Sequence, residues 1–175
     1  MNTLAQLENS ETGLGKTPGS PRNRILIIDD NAAVRAAIVG VLQGAGYQVF
    51  QAGDGKDALA KFDARSLDLL LLDLGLPGQD GWDTFEAFTR NNPLLEVIII
   101  TGRARQAEIA VAAGVGALME KPLDAVVLLK TIRDLLTEPE EARLRRLCGA
   151  PKDDRFATRL IRIGEPPIKL NPARR

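Results

Sequence analysis

Leu69-Leu70-Leu71-Leu72-Asp73, running on into Gly75-Leu76-Pro77-Gly78 and Gly81, is an apolar run closed by an acid and a glycine-rich loop. Four consecutive leucines do not suit a strand with one wet face. They need apolar cover on both sides, as a buried strand of a parallel sheet has. The run stops on a carboxylate and passes into a Gly-Pro loop, after which Trp82, Phe85 and Phe88 stand three apart on a helix. Toward the amino terminus, Ile25-Leu26-Ile27-Ile28 is a second buried run, ending in Asp29-Asp30. Val34, Ile38, Val41 and Leu42 follow at helical spacing, closed by Gly44 and Gly46. Tyr47-Gln48-Val49-Phe50 alternates as a strand, and Ala58, Leu59 and Phe62 mark a helix.

Toward the carboxyl terminus the same alternation continues. The apolar stretch Leu94 to Ile100, interrupted by Glu96, ends at Thr101-Gly102. A short helix with Ile109 and Ala112 stops at Gly114. Ala117-Leu118-Met119 is a fifth strand, ending at Lys121-Pro122. Ala125, Leu128, Leu129, Ile132, Leu135 and Leu136 then share one face of a last helix. Five strand-helix pairs predict an α/β fold: a doubly wound, five-stranded parallel sheet with helices on both faces and right-handed crossovers, over residues 24–136.

The flanks differ. Residues 1–23 are rich in Gly, Pro, Ser, Thr and Asn and read as a flexible arm. Gly15-Lys16-Thr17 looks like the end of a phosphate-binding loop, but Ser10 stands where that motif needs glycine and Pro18 follows at once. Residues 137–175 form a basic extension without a recognisable output domain. Glu138 to Cys148 suits a further helix, with Leu144, Leu147 and Cys148 on one face and Arg143, Arg145 and Arg146 beside it. Beyond it, Phe156, Leu160, Ile161 and Ile163 are scattered among arginines, and Pro166-Pro167 and Pro172 favour an extended end. So few apolar groups make a weak independent domain.

Composition bounds the chemistry. The chain has 175 residues, 45% hydrophobic and 26% charged, enough for one core with a few dozen residues to spare. Its apolar runs are far short of the ~20 residues that span a bilayer, no secretory leader is visible, and the single Cys148 fits a reducing compartment, so a cytoplasmic protein without membrane association is expected. The net charge of 0 divides unevenly: residues 24–136 carry −4 and residues 137–175 carry +4. An acidic body argues against nucleic acid as its ligand and leaves the tail open. With no histidine and one cysteine, His- and Cys-based nucleophile systems and zinc sites are excluded. What remains is carboxylate, hydroxyl, lysine and a hard cation.

Those groups fall in one place. Asp29-Asp30, Asp73, Thr101 and Lys121 end four different strands, and the carboxyl ends of parallel strands gather along one edge, where ligands bind. Three neighbouring carboxylates repel one another. Mg²⁺, which takes oxygen ligands, and Lys121 would each relieve them. Asp73 could then attack a phosphoryl group as a carboxylate nucleophile, with the cation, Lys121 and the Thr101 hydroxyl facing the phosphoryl oxygens.

With Ile25–Asn31, Leu69–Asp73, Leu76-Pro77-Gly78, Gly81 and Glu120-Lys121-Pro122 in hand, the chain resembles the receiver domain of two-component response regulators across residues 24–136. The resemblance implies strand order 2-1-3-4-5. It implies that Asp29 and Asp30 are the metal-binding pair, with Asp30 the direct ligand, and that Asp73 is the phosphoacceptor. It also implies a metal ligand in the Gly75 carbonyl, a switch hydroxyl in Thr101, a phosphate-pairing lysine in Lys121 and a cis bond before Pro122. The partner so implied is a histidine kinase or histidine phosphotransfer protein of a bacterial phosphorelay, acting in trans. The output would be a downstream protein target, or a homodimer, reached through the face of helix four, strand five and helix five.

Three features depart from the family. Leu118 replaces a usual aromatic, the segment from Thr101 to Lys121 is about two residues short and trims the fourth helix, and Val126 and Val127 are apolar where polar residues are common. The phosphorylation set is complete, and an altered readout is expected.

Plainer roles exist for each residue. Asp30 or Asn31 could cap a helix, Asp73 could begin a turn, Thr101 could merely end a strand and Lys121 could be solvated. Other functions compete as well. One is a hydrolase with an aspartate nucleophile, although that class carries Asp-x-Asp on the first strand. Another is a DNA-binding regulator working through the basic extension. A third is a receiver-like scaffold that is never phosphorylated.

Overall fold

The computed structural model describes residues 22–78, 80–102, 106–148, 158–162 and 168–170. The expected amino-terminal arm up to residue 21, with Gly15-Lys16-Thr17, lies outside them, as do Phe156 and Ile163. The strands are β1 (Arg24–Ile28), β2 (Gln48–Ala52), β3 (Leu69–Asp73), β4 (Glu96–Thr101), β5 (Ala117–Glu120), β6 (Thr158–Ile161) and β7 (Ile168–Leu170). The helices are α1 (Ala32–Gly44), α2 (Gly55–Lys61), α3 (Gly81–Asn91), α4 (Ala107–Ala112), α5 (Ala125–Leu136) and α6 (Glu140–Leu147). The fourth helix is the short one, as its sequence implied. None of the described helices is long and apolar enough to cross a membrane.

The strands lie in the order β2-β1-β3-β4-β5-β6-β7. The first five are parallel, in the expected order 2-1-3-4-5, with β3 in the middle of that set and every one of its residues buried. Alternate residues feed two core layers. Leu26, Ile28, Leu70, Leu72 and Ile99 pack on one side with Phe85 and Phe88, and Ile25, Ile27, Leu69, Leu71 and Ile98 on the other with Ile38, Leu42 and Ile132. This is why the strands read as unbroken apolar runs.

Asn31, Asp54, Asp80 and Asp124 cap α1, α2, α3 and α5 with their side chains. Gly81 opens α3 hard against the end of β3, where a Cβ would stand 2.7 Å from Leu74 Cα. Only glycine permits that approach, and it fixes the loop carrying Gly75 to Gly78 over the sheet edge.

The extension enlarges the expected sheet. β6 joins β5 in parallel (Ala117↔Arg159, Leu118↔Leu160, Met119↔Ile161), and β7 adds antiparallel to β6. Leu160 belongs to one core layer and Ile161 to the other. Too poor in apolar residues to fold alone, the segment borrows the core of its neighbour. The helix expected within Glu138 to Cys148 forms as α6, with its apolar face turned to solvent. Leu144 is 44% exposed and Leu147 and Cys148 are exposed, while Ala142 and Arg146 face inward. The helix docks through an arginine.

Candidate functional site

Asp29 directly follows β1 and Asp73 ends β3, neighbouring strands of the sheet, and both side chains are buried. Lys121 follows β5 and reaches back between them. Its Nζ lies 2.9 Å from Asp29 Oδ2 and 2.6 Å from Asp73 Oδ2. The other oxygen of each carboxylate accepts a backbone N–H, Asp29 Oδ1 from Asn31 and Asp73 Oδ1 from Gly75, both at 2.8 Å. Asp30 stands exposed at the rim, and the three carboxylates have ligand oxygens within 4.8 Å of one another.

Asn31 caps α1, accepting from the N–H groups of Ala33 and Val34, so neither aspartate of the pair caps that helix. Asp73 does turn the chain into its loop through Gly75, but the same carboxylate also holds Lys121. Nor is Lys121 a solvated charge. Burial alone would lower its pKa, but the bonds and charges of Asp73 and Asp29 outweigh that and raise it, so the ammonium is firmly held.

Thr101 is fully buried at the end of β4, and its carbonyl accepts the Lys121 N–H at 2.9 Å. The Lys121-Pro122 peptide is cis. A Cβ at Gly75 would sit 3.1 Å from Asp73 Oδ1, so glycine keeps the carboxylate clear. The remaining positions separate. Leu118 is buried. Val126 is 76% exposed whereas Val127 packs against the core, so the expected outer apolar pair is a single residue.

One contributor escaped the sequence reading. Arg35, one turn into α1, donates from Nη1 to the carbonyls of Asp29 (2.7 Å) and Asp30 (3.2 Å) and so anchors the backbone that carries both acids. A cation within the apolar helical repeat, one turn past an acidic pair, was the available signal.

Three carboxylates against one ammonium leave two negative charges in surplus at a partly open edge. The donor set is all oxygen, which suits a hard divalent cation such as Mg²⁺ and not a soft one. The arrangement can hold such a cation and present a carboxylate oxygen beside a lysine to an incoming anion.

Comparison with known proteins agrees. The family described as response regulator receiver domain matches residues 25–133. The nitrogen assimilation regulatory protein NtrX of Azorhizobium caulinodans is 35% identical over 127 residues, which is 70% of this chain and 27% of that protein. The DNA-binding response regulator MtrA of Mycobacterium leprae is 30% identical over 154 residues, 86% of this chain and 68% of that protein. Among solved structures, a CheY-like receiver domain protein from Methanospirillum hungatei superposes with TM-score 0.64 at 31% identity, covering 69% of this chain and 98% of that one. The chain thus spans only 27% and 53% of the length of two curated relatives, NtrX and the sensory transduction protein RegX3 of Mycolicibacterium smegmatis.

Proposed function

This chain belongs to the response regulator receiver domain family, and we propose that it is a phosphorylation switch in which Asp73 accepts a phosphoryl group from a histidine kinase or histidine phosphotransfer protein. The observation that carries this reading is Lys121 held between Asp29 and Asp73 beneath a rim that carries Asp30. Asp29, Asp30 and Asp73, with the carbonyl of Gly75, form the set we assign to Mg²⁺. When bound, the cation supplies positive charge facing the phosphoryl oxygens.

These 175 residues hold no histidine, so the donor phosphohistidine lies outside them. An Asp73 carboxylate oxygen attacks phosphorus, the P–N bond breaks, and the imidazole leaves with the electron pair. Lys121 releases its hold on Asp73 Oδ2 and follows a phosphoryl oxygen, while the Thr101 hydroxyl donates to another. Water later cleaves the acyl phosphate, returning Asp73 and inorganic phosphate. We read the chain as a signalling phosphoacceptor and not as an enzyme acting on other substrates, with its output in altered protein contacts.

A decisive test is intact-mass spectrometry after incubation with Mg²⁺ and acetyl phosphate. Wild type should gain one acid-labile phosphoryl group, and neither Asp73→Asn nor the Mg²⁺-free sample should. Labelling of Asp73→Asn to the wild-type level would sink the assignment.

A second reading is DNA binding, favoured by the match to MtrA, a relative named as a DNA-binding regulator. Against it, Arg143 and Arg146 of the basic extension are engaged with Glu96. A gel shift that fades at moderate salt would support it.

A further inference from the structure

In a five-stranded receiver sheet, β5 is an edge with one row of unpaired backbone groups, a standing invitation to another strand. Here that row is answered from within the chain. Arg159 N–H donates to the Gly116 carbonyl at 3.2 Å and Thr158 Oγ1 to the Val115 carbonyl at 2.8 Å, leading into the parallel register of β6 on β5. Leu160 and Ile161 are buried, and α4 packs against β6. Leu118, where the family carries a movable aromatic, pairs in register with Leu160 and is itself buried.

The two ends of this attachment are unequal. At the amino edge of the sheet, α6 is anchored by Arg146, which is 4% exposed. Its Nη1 donates to both oxygens of Glu138 (2.7 and 2.6 Å), its Nη2 to both oxygens of Glu96 (2.8 Å each), and its Nε to the Gly114 carbonyl at 3.2 Å. Arg143 adds a bond to Glu96 Oε1 at 2.6 Å and another to the Leu94 carbonyl at 2.7 Å. The receiver is shaped for this. Gly114 has φ +69°, and a Cβ there would stand 3.0 Å from Leu147 Cα, while one at Gly116 would stand 2.6 Å from Glu96 Oε2. At the carboxyl edge, β6 is pinned by Arg162 Nε to Glu120 Oε1 at 2.8 Å, with both side chains part-exposed. Glu120 is the residue before Lys121, and the Thr101 carbonyl holds the Lys121 N–H.

We infer that residues 158–162 are an intramolecular ligand of the β5 edge, held at their lower end by the Thr158 and Arg159 bonds to Val115 and Gly116, and that phosphorylation of Asp73 loosens their upper end. The coupling rests on the function proposed above. Lys121 leaves Asp73 Oδ2 for the phosphoryl group, so the backbone from Glu120 to Pro122 moves with it. The part-exposed Arg162–Glu120 contact, next to Lys121 in the chain, is the first to yield. The α6 anchor lies at the opposite edge and keeps the segment tethered. The surface of helix four, strand five and helix five is therefore occupied until the signal arrives, and a homodimer through that face requires β6 to move first.

The test takes the full chain with Mg²⁺ and acetyl phosphate, counts phosphoryl groups by intact mass, and follows backbone hydrogen exchange in the same sample. Phosphorylated protein should exchange at least about fivefold faster across 158–161, the lower end of ordinary coupling, with 25–28 unchanged. One phosphoryl group gained with exchange at 158–161 unaltered overturns the inference and leaves the proposed function standing. No phosphoryl group gained overturns that function, and the coupling with it. Arg162→Ala supplies an independent arm. Linkage runs both ways, so this variant should open 158–161 without a donor and raise the phosphorylated fraction at a fixed acetyl phosphate concentration. A normal phosphorylated fraction together with faster exchange at 158–161 would also overturn it.

Discussion

Two clusters of charge lie at opposite edges of one sheet. At the carboxyl edge, Asp29, Asp30 and Asp73 face the single ammonium of Lys121. At the amino edge, Glu96 and Glu138 face the guanidiniums of Arg143 and Arg146, charge for charge. The balanced cluster is closed: Arg146 directs all three of its guanidinium nitrogens to protein acceptors, and Glu96 is buried beneath it. The unbalanced cluster keeps an exposed acid at its rim. A balanced, buried set holds a helix in place, whereas surplus charge at an opening is unfinished business that a ligand completes. Burial alone would have marked both places as equally important; the charge count separates them.

Breaking the balanced cluster should have the larger effect on stability. Arg146→Met would leave Glu96 and Glu138 buried without their main partner, a situation that costs about 3–5 kcal/mol. Urea unfolding should show the midpoint falling accordingly, and a loss below about 1 kcal/mol would mean that α6 is not anchored as described. The unbalanced cluster should respond to a ligand. Mg²⁺ at a hundredfold excess over its dissociation constant should stabilise wild type by about 2.7 kcal/mol. Asp30→Asn should start with a higher melting temperature than wild type in the absence of Mg²⁺, since a surplus charge is gone, and should gain far less when Mg²⁺ is added. Equal gains in the two proteins would remove Asp30 from the metal site. At the exposed start of α5, Val126→Ala should change stability by no more than about 0.5 kcal/mol, because the side chain is 76% exposed. A larger loss would show that something covers Val126 in solution.

Legibility followed a physical line. The carboxyl-edge site could be read because its residues end strands, and in a parallel sheet the end of a strand is a position in space as well as in sequence. The strand pattern therefore brings Asp29, Asp73, Thr101 and Lys121 together without reference to coordinates. Arg35 is not among them, because its role depends on a guanidinium reaching two backbone carbonyls. Glu96 was visible as an interruption in an apolar strand, and a charge in a strand buried on both faces must find a partner. Which of the three nearby arginines would meet it was hidden. Leu144 and Leu147 share a face of α6, as their spacing implies, but that face is exposed and the helix docks through an ion pair.

The alternation of five strands and five helices is written in the sequence, since unbroken apolar runs and helical spacing are local patterns. So is the set of polar residues that shares the carboxyl edge. The placement of residues 138–148, 158–162 and 168–170 emerges only in the folded chain. Leu160 and Ile161 sit among arginines in a segment with no pattern of its own. Their burial comes from the free hydrogen-bonding edge of β5 and from the two core layers that continue onto β6. A segment that borrows its core from a neighbour leaves its signal in the neighbour, here in Glu96, Gly114 and Gly116, and only the folded chain brings the two halves together.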